Sequence, residues 1–210
     1  MNTGGQRDFN KEAAQWDQNP GRVKLAQDVA QAVIREALPT REMDALDFGC
    51  GTGLVTLALQ PHVKTITAVD SSRGMLDVLE EKIKTQNLQN VYPRFADFEK
   101  GDKIEGKKFH LLVSSMTMHH VAGTEGLLGM WYDLLLPGGI VCAADLDTED
   151  GSFHGDNTGV FHFGFDRNGL KEAMRKTGFS DLKDITASTM NREVEGGKRD
   201  FTIFLITGKK

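Results

Sequence analysis

Apolar positions change their period along the chain. Over residues 6–18, Phe9, Ala13 and Trp16 recur at helical spacing, and Asn19-Pro20-Gly21 breaks the run. Over residues 22–37, Val23, Ala26, Ala30, Val33, Ile34 and Ala37 form one apolar face, closed by Pro39. Beyond residue 44 the pattern alternates. Short apolar runs of strand length, at 46–48, 65–70, 91–95, 109–115 and 140–145, are separated by stretches of helical period. These stretches begin near Gly53 and cover 72–86 and 124–135. Pro93 places the 91–95 strand at a sheet edge, because a proline removes a ladder donor. Residues 146–165 are polar and aromatic with no clear period, and their aromatics argue against disorder. A helix is expected over 166–177, stopped by Gly178, and two β-rich runs near 182–189 and 200–207 flank a Glu195-Gly196-Gly197-Lys198 turn.

The most informative stretch is Leu46-Asp47-Phe48-Gly49-Cys50-Gly51-Thr52-Gly53. It reads as a buried strand entering a glycine turn that opens a helix. Glycines permit positive φ and leave no Cβ between main chain and ligand. The unpaired N–H groups of a helix start suit an anionic ligand group. A dinucleotide fingerprint would need glycine where Leu54 stands, and the lysine of a phosphate-binding loop is absent. What stands is Asp47-x-Gly49-x-Gly51-x-Gly53, which resembles the first motif of the class I S-adenosylmethionine-dependent methyltransferases.

Further motifs follow at matching distances over roughly residues 44–146. Asp70 ends the second strand, 21 residues after Gly49, where a carboxylate can accept from both ribose hydroxyls. A helix cap is its other reading, and Ser71 or Ser72 can cap the next helix. Leu136-Pro137-Gly138-Gly139 precedes the fifth strand, as in the family. The resemblance implies an α/β fold: a Rossmann-like, seven-stranded, mostly parallel sheet with a C-terminal antiparallel hairpin and helices on both faces. It implies S-adenosylmethionine as cofactor and S-adenosylhomocysteine as product. Gly49, Cys50 and Gly51 would approach the methionine part, with Asp47 ordering the loop or reaching the amino group through water. Asp70 and Ser71 would lie at the ribose, Met75, Asp97 and Phe98 at the adenine, and Ser114 under the methionine part. Asp97 lies in an acidic, exposed-looking stretch, so a solvated loop acid is its plain alternative. The expected organisation is one domain over 1–210, with a helical cap or lid over 1–40, a cofactor core over 41–146, and an acceptor loop, last helix and hairpin over 147–210.

Composition narrows the setting. Hydrophobic residues make up 39% and charged residues 26% of 210, an ordinary soluble balance. A net charge of −5 argues against a nucleic-acid surface. Two cysteines, one in the glycine turn and one in an apolar run, suggest a reducing, cytoplasmic compartment. Residues 1–10 carry no apolar signal region, and no run approaches a membrane span. Oligomeric state is left open.

Candidate chemistry gathers beyond the fourth strand. Methyl transfer from a sulfonium needs alignment first, and a base only if the acceptor arrives protonated. His119 and His120 are the candidate bases, with loop packing as their alternative. Trp16, His154, Phe161 and His162 are candidates for the acceptor wall. No metal is expected, because His154, His162, Asp145 and Asp147 match no compact metal motif and a solvated acidic turn explains the aspartates. Ser114-Ser115-Met116-Thr117 stands where base and glutamine-amide methyltransferases carry Asn/Asp-Pro-Pro-aromatic, so a small acceptor with O, N, S or acidic carbon is favoured. A protein methyltransferase and a non-catalytic cofactor-binding domain are the alternatives. A nicotinamide-dependent reductase is disfavoured by Leu54 and by the Pro-Gly-Gly turn.

Overall fold

The computed structural model describes residues 7–210, and Gln6 and the residues before it lie outside that range. Seven strands form one sheet: β1 Asp44–Phe48, β2 Thr65–Asp70, β3 Val91–Phe95, β4 Phe109–Ser115, β5 Leu135–Leu146, β6 Ser180–Val194 and β7 Gly197–Lys209. Their order is β3-β2-β1-β4-β5-β7-β6. β1 to β5 run parallel, and β7 pairs antiparallel with both β5 and β6. The Rossmann-like fold with a closing hairpin expected from the motifs is therefore present, with β3 at an edge as Pro93 requires.

Alternation along the strands divides the core into two layers. Ala45, Leu111, Val113, Cys142, Ile203 and Leu205 face α2 (Pro20–Ala37) and α3 (Leu54–Leu59). Leu46, Leu112, Val141, Phe204 and Ile206 face α5 (Thr124–Leu134) and α6 (Arg167–Thr177). α4 (Arg73–Thr85) packs Leu76 and Leu79 against Ala68 and Cys50. The chain leaves β1 toward β2 and β3 on one side and continues to β4 and β5 on the other. The loops after β1 and β4 therefore diverge, and this switch point is where open α/β sheets hold ligands.

The elements differ from expectation where turn chemistry competes with periodicity. Asn19-Pro20 does not break a helix but starts one. The Asn19 side chain accepts from Gly21 N and Arg22 N, and Pro20 occupies the first turn, where it needs no donor. Residues 9–18 are a short α1 (Phe9–Glu12) followed by a tighter 3-10 segment rather than one helix. β6 and β7 extend well past the predicted runs because exposed residues at the hairpin tip still pair. No described helix is long and apolar enough to cross a membrane.

α3 opens from Gly53 at φ 82°, and a Cβ there would lie 2.3 Å from Leu79 Cδ1. Gly51, at φ 54°, has nothing within 4 Å of that position. Gly53→Ala should therefore cost about 3 kcal/mol, from left-handed strain plus overlap, and Gly51→Ala about 1–2 kcal/mol from strain alone. Urea unfolding of the two variants checks this; equal losses would show that Leu79 yields freely.

Candidate active site at the switch point

The turn after β1 is held by main chain from β2. Gly49 N and Cys50 N both donate to Val69 O, at 2.9 and 3.0 Å. Gly49 sits at φ 74°, and a Cβ on it would lie 2.3 Å from Thr117 Oγ1, so glycine alone lets the two loops meet. Asp70 completes the turn. Its Oδ2 accepts from Gly51 N and its Oδ1 from Ser72 N, both at 2.8 Å. Burial pushes the Asp70 carboxyl up, and the N–H groups of Ser72, Gly51 and Ser71 oppose the shift. Each oxygen keeps a second acceptor direction. The space beside Gly51 is open.

Asp47 lies beneath this turn, buried, with Thr56 Oγ1 donating to its Oδ2 at 2.5 Å. Burial pushes its carboxyl up to about 7, against the Thr56 hydrogen bond. Burial also raises the Cys50 thiol, whose Sγ donates to Gly51 O. Ser114 is buried and donates to Phe48 O at 2.9 Å, tying β4 to the end of β1.

On the β2 side, Ser72 rather than Ser71 caps α4, its Oγ accepting from Met75 N. Ser71 is exposed and Met75 is buried. Asp97 is only 6% exposed, so the exposed reading of that acid does not hold. It caps the short turn Phe98–Lys100 and meets the Lys100 ammonium at 2.8 Å. Phe98 stacks on Phe48 at 4.7 Å between centroids.

The amino-terminal segment rests across these parts. Asn10 Oδ1 accepts from Ser72 Oγ at 3.0 Å and Gly74 N at 2.8 Å. Thr52 Oγ1 donates to Asp17 at 2.6 Å, and Lys82 bridges Asp17 and Thr52 O. Trp16 lies under the Arg22 guanidinium, 3.7 Å from the ring centroid, and edge-on to Phe9. Phe9 in turn packs edge-on against His120, at 5.2 Å. Phe9, Trp16, Ser72 and His120 carried a signal in the sequence; the docking groups Asn10 and Asp17 carried none.

A histidine cluster lies beyond β4. His119 Nδ1 is 2.7 Å from Asp145 Oδ1, and both side chains are essentially fully buried. His119 N and Leu146 N also donate to that carboxylate. Burial alone would raise the Asp145 carboxyl, but His119 and these N–H groups hold it below the usual range. Asp145 is thus no solvated turn acid. Nor is Asp147, which accepts two hydrogen bonds from Arg167, at 2.7 and 2.6 Å, and one from Thr202 Oγ1.

His120 Nδ1 lies 2.7 Å from Gly159 O, and a carbonyl only accepts, so that nitrogen carries hydrogen. His154 completes the cluster, its ring centroid 5.0 Å from His119 and 5.8 Å from His120. Burial, reinforced by the Arg7 guanidinium, pushes His120 down to about 4 and His154 to about 3, so both rings are neutral near pH 7. His162 is not in the cluster. Its Nε2 faces Val121 O at 3.0 Å and Thr124 Oγ1 at 3.3 Å, pinning the loop to the start of α5. Phe161 is 57% exposed, although its main-chain N donates to His119 O.

Residues 45–139 match the family described as "Methyltransferase domain". The chain carries a class I methyltransferase domain. An uncharacterized methyltransferase of Schizosaccharomyces pombe is 31% identical over 170 residues, 74% of this chain and 60% of the relative. The chain thus spans 60% of that relative's length, less than two thirds. Two solved structures share the methyltransferase fold. One comes from the complex between the Haloferax volcanii Trm112 methyltransferase activator and a methyltransferase; it has a TM-score of 0.75 and 16% identity and covers 97% of this chain and 98% of its own. The other is Haemonchus contortus phosphoethanolamine N-methyltransferase 2, in complex with phosphomonomethylethanolamine and S-adenosylhomocysteine. It has a TM-score of 0.70 and 15% identity and covers 97% of this chain and 61% of its own.

Asp47 gives the methyltransferase domain a pH-dependent stability. Its unfolded carboxyl has the ordinary value of 3.8 and its folded one about 7, so the folded chain binds the extra proton between them. This stabilisation is full below pH 4 and is lost as pH rises through 7. Asp47→Asn cannot lose it. Its stability relative to wild type should rise between pH 4 and pH 8, by on the order of 2–4 kcal/mol. Urea unfolding across that range checks the sign; a gap independent of pH would contradict it.

Proposed function

We propose that the chain is an S-adenosylmethionine-dependent methyltransferase that transfers a methyl group to an O, N, S or C atom of a small molecule. The observation that carries this reading is the placement of Asp70. Its carboxylate is fixed by Gly51 N and Ser72 N, leaving acceptor directions for a ribose beside the open face of Gly51. The donor set suits the cofactor: main chain of Gly49, Cys50 and Gly51 for the methionine part, with Asp47 and Ser114 behind it, and Met75, Asp97 and Phe98 around the adenine. The sulfonium, when bound, supplies an already activated methyl group.

The protein's own work is then alignment and deprotonation. Residues 9–18 serve as a lid, since Asn10 and Asp17 fasten them to α4 and to the glycine turn. Loop 147–165 brings His154 to the acceptor side, and Phe161 lies at its rim. Asp145 is a positioning residue. Its carboxylate accepts a hydrogen bond from His119 Nδ1 and leaves the Nε2 lone pair free, to take a proton from the acceptor when no metal holds it. Both cysteines are free and buried, which accords with a reducing, cytoplasmic setting.

Calorimetric titration tests the cofactor. S-adenosylmethionine and S-adenosylhomocysteine should bind the wild-type chain, and Asp70→Ala should weaken both by about 10–100-fold, the worth of hydrogen bonds to a charged group. Preference for NADH, or no effect of the substitution, would contradict the assignment.

A further inference from the structure

We infer that His119, His120 and His154 form a site for a divalent transition metal of the zinc type. The fold assembles the set from two stretches, the turn after β4 and the loop after β5, which is why no sequence spacing announces it. One nitrogen from each ring lies within 4.8 Å of the others. Tetrahedral zinc, with Zn–N near 2.0–2.1 Å, needs about 3.4 Å between ligand nitrogens. Inward movement on the order of 1 Å closes the site, within reach of ring rotation about χ1 and χ2.

Three further observations point to a ligand rather than to packing. First, His119 has the arrangement that orients metal ligands: Nδ1 on a buried carboxylate at 2.7 Å and Nε2 left for the metal. Second, His120 repeats it with a main-chain carbonyl, Nδ1 on Gly159 O at 2.7 Å. Third, His154 Nε2 is buried with no hydrogen-bond partner among the described residues, which packing alone does not explain. Two guanidinium groups act on His154: Arg7 is paired to both oxygens of Glu12 at 2.7 Å, and Arg192 donates to the main-chain carbonyl of Phe153.

The donor set also selects the metal. Three imidazoles suit zinc, copper, nickel or iron and not magnesium or calcium. Three protein ligands leave a coordination place for an outside group. Resting on the methyl-transfer reading, that group is an oxygen or thiol of the acceptor, which would lose its proton to solvent and be held as an anion. Metal binding itself does not depend on that reading.

The test uses the full chain without a polyhistidine tag, stripped by chelator and titrated with Zn²⁺ by calorimetry and with Co²⁺ by visible absorption. One equivalent of each should bind, with d–d bands from Co²⁺. His154→Ala should weaken binding at least 100-fold and Asp145→Asn by about 10–100-fold. Both variants are checked for folding by circular dichroism, and S-adenosylhomocysteine binding should persist in His154→Ala. Absence of stoichiometric uptake by the wild-type chain, or uptake unchanged in a folded His154→Ala, would overturn the site. Zinc bound through His154 in a chain that binds no S-adenosylhomocysteine would keep the metal site and remove the methyltransferase reading.

Discussion

The glycine turn depends on one carboxylate. Asp70 ends β2, yet its two oxygens are taken by N–H groups from different elements, Gly51 in the turn after β1 and Ser72 at the start of α4. A buried carboxylate satisfied in this way fixes three segments in one geometry. The turn could not take its shape without glycine, because Thr117 crowds Gly49 and Leu79 crowds Gly53. The strand order then matters. With β1 beside β4, the turn after β1 and the turn carrying the histidines open onto the same crevice.

The histidine cluster rests on a second buried carboxylate. Asp145, next to last in β5, reaches back to His119, so the sheet register decides where the imidazole points. The loop after β5 returns to the same place through Gly159 O and His154. The amino-terminal segment then spans both parts, Asn10 on α4, Asp17 on the glycine turn and Phe9 on His120. The glycine turn and the histidine cluster are therefore joined through residues 9–18.

The sheet was legible because its signals are local. Glycine spacing, strand-length apolar runs and Pro93 each constrain the residues around them. The glycine turn and its carboxylate were legible for the same reason, since Asp70 and the glycines sit at strand ends. The histidine side was not. Asp145 and Asp147 read as turn acids because their partners, His119 and Arg167, are distant in sequence. His162 looked equivalent to His154, and only the loop path turns one toward Val121 and the other into the cluster. Asn19-Pro20 misled in the opposite way, since a break and a helix start use the same residues.

The most direct measurement is a crystal structure of the chain with S-adenosylhomocysteine. The account predicts ribose hydroxyls on Asp70, the homocysteine over Gly49–Gly51, and the sulfur facing the cluster of His119, His120 and His154. A ligand bound away from Asp70, or a sulfur turned from the histidines, would contradict it.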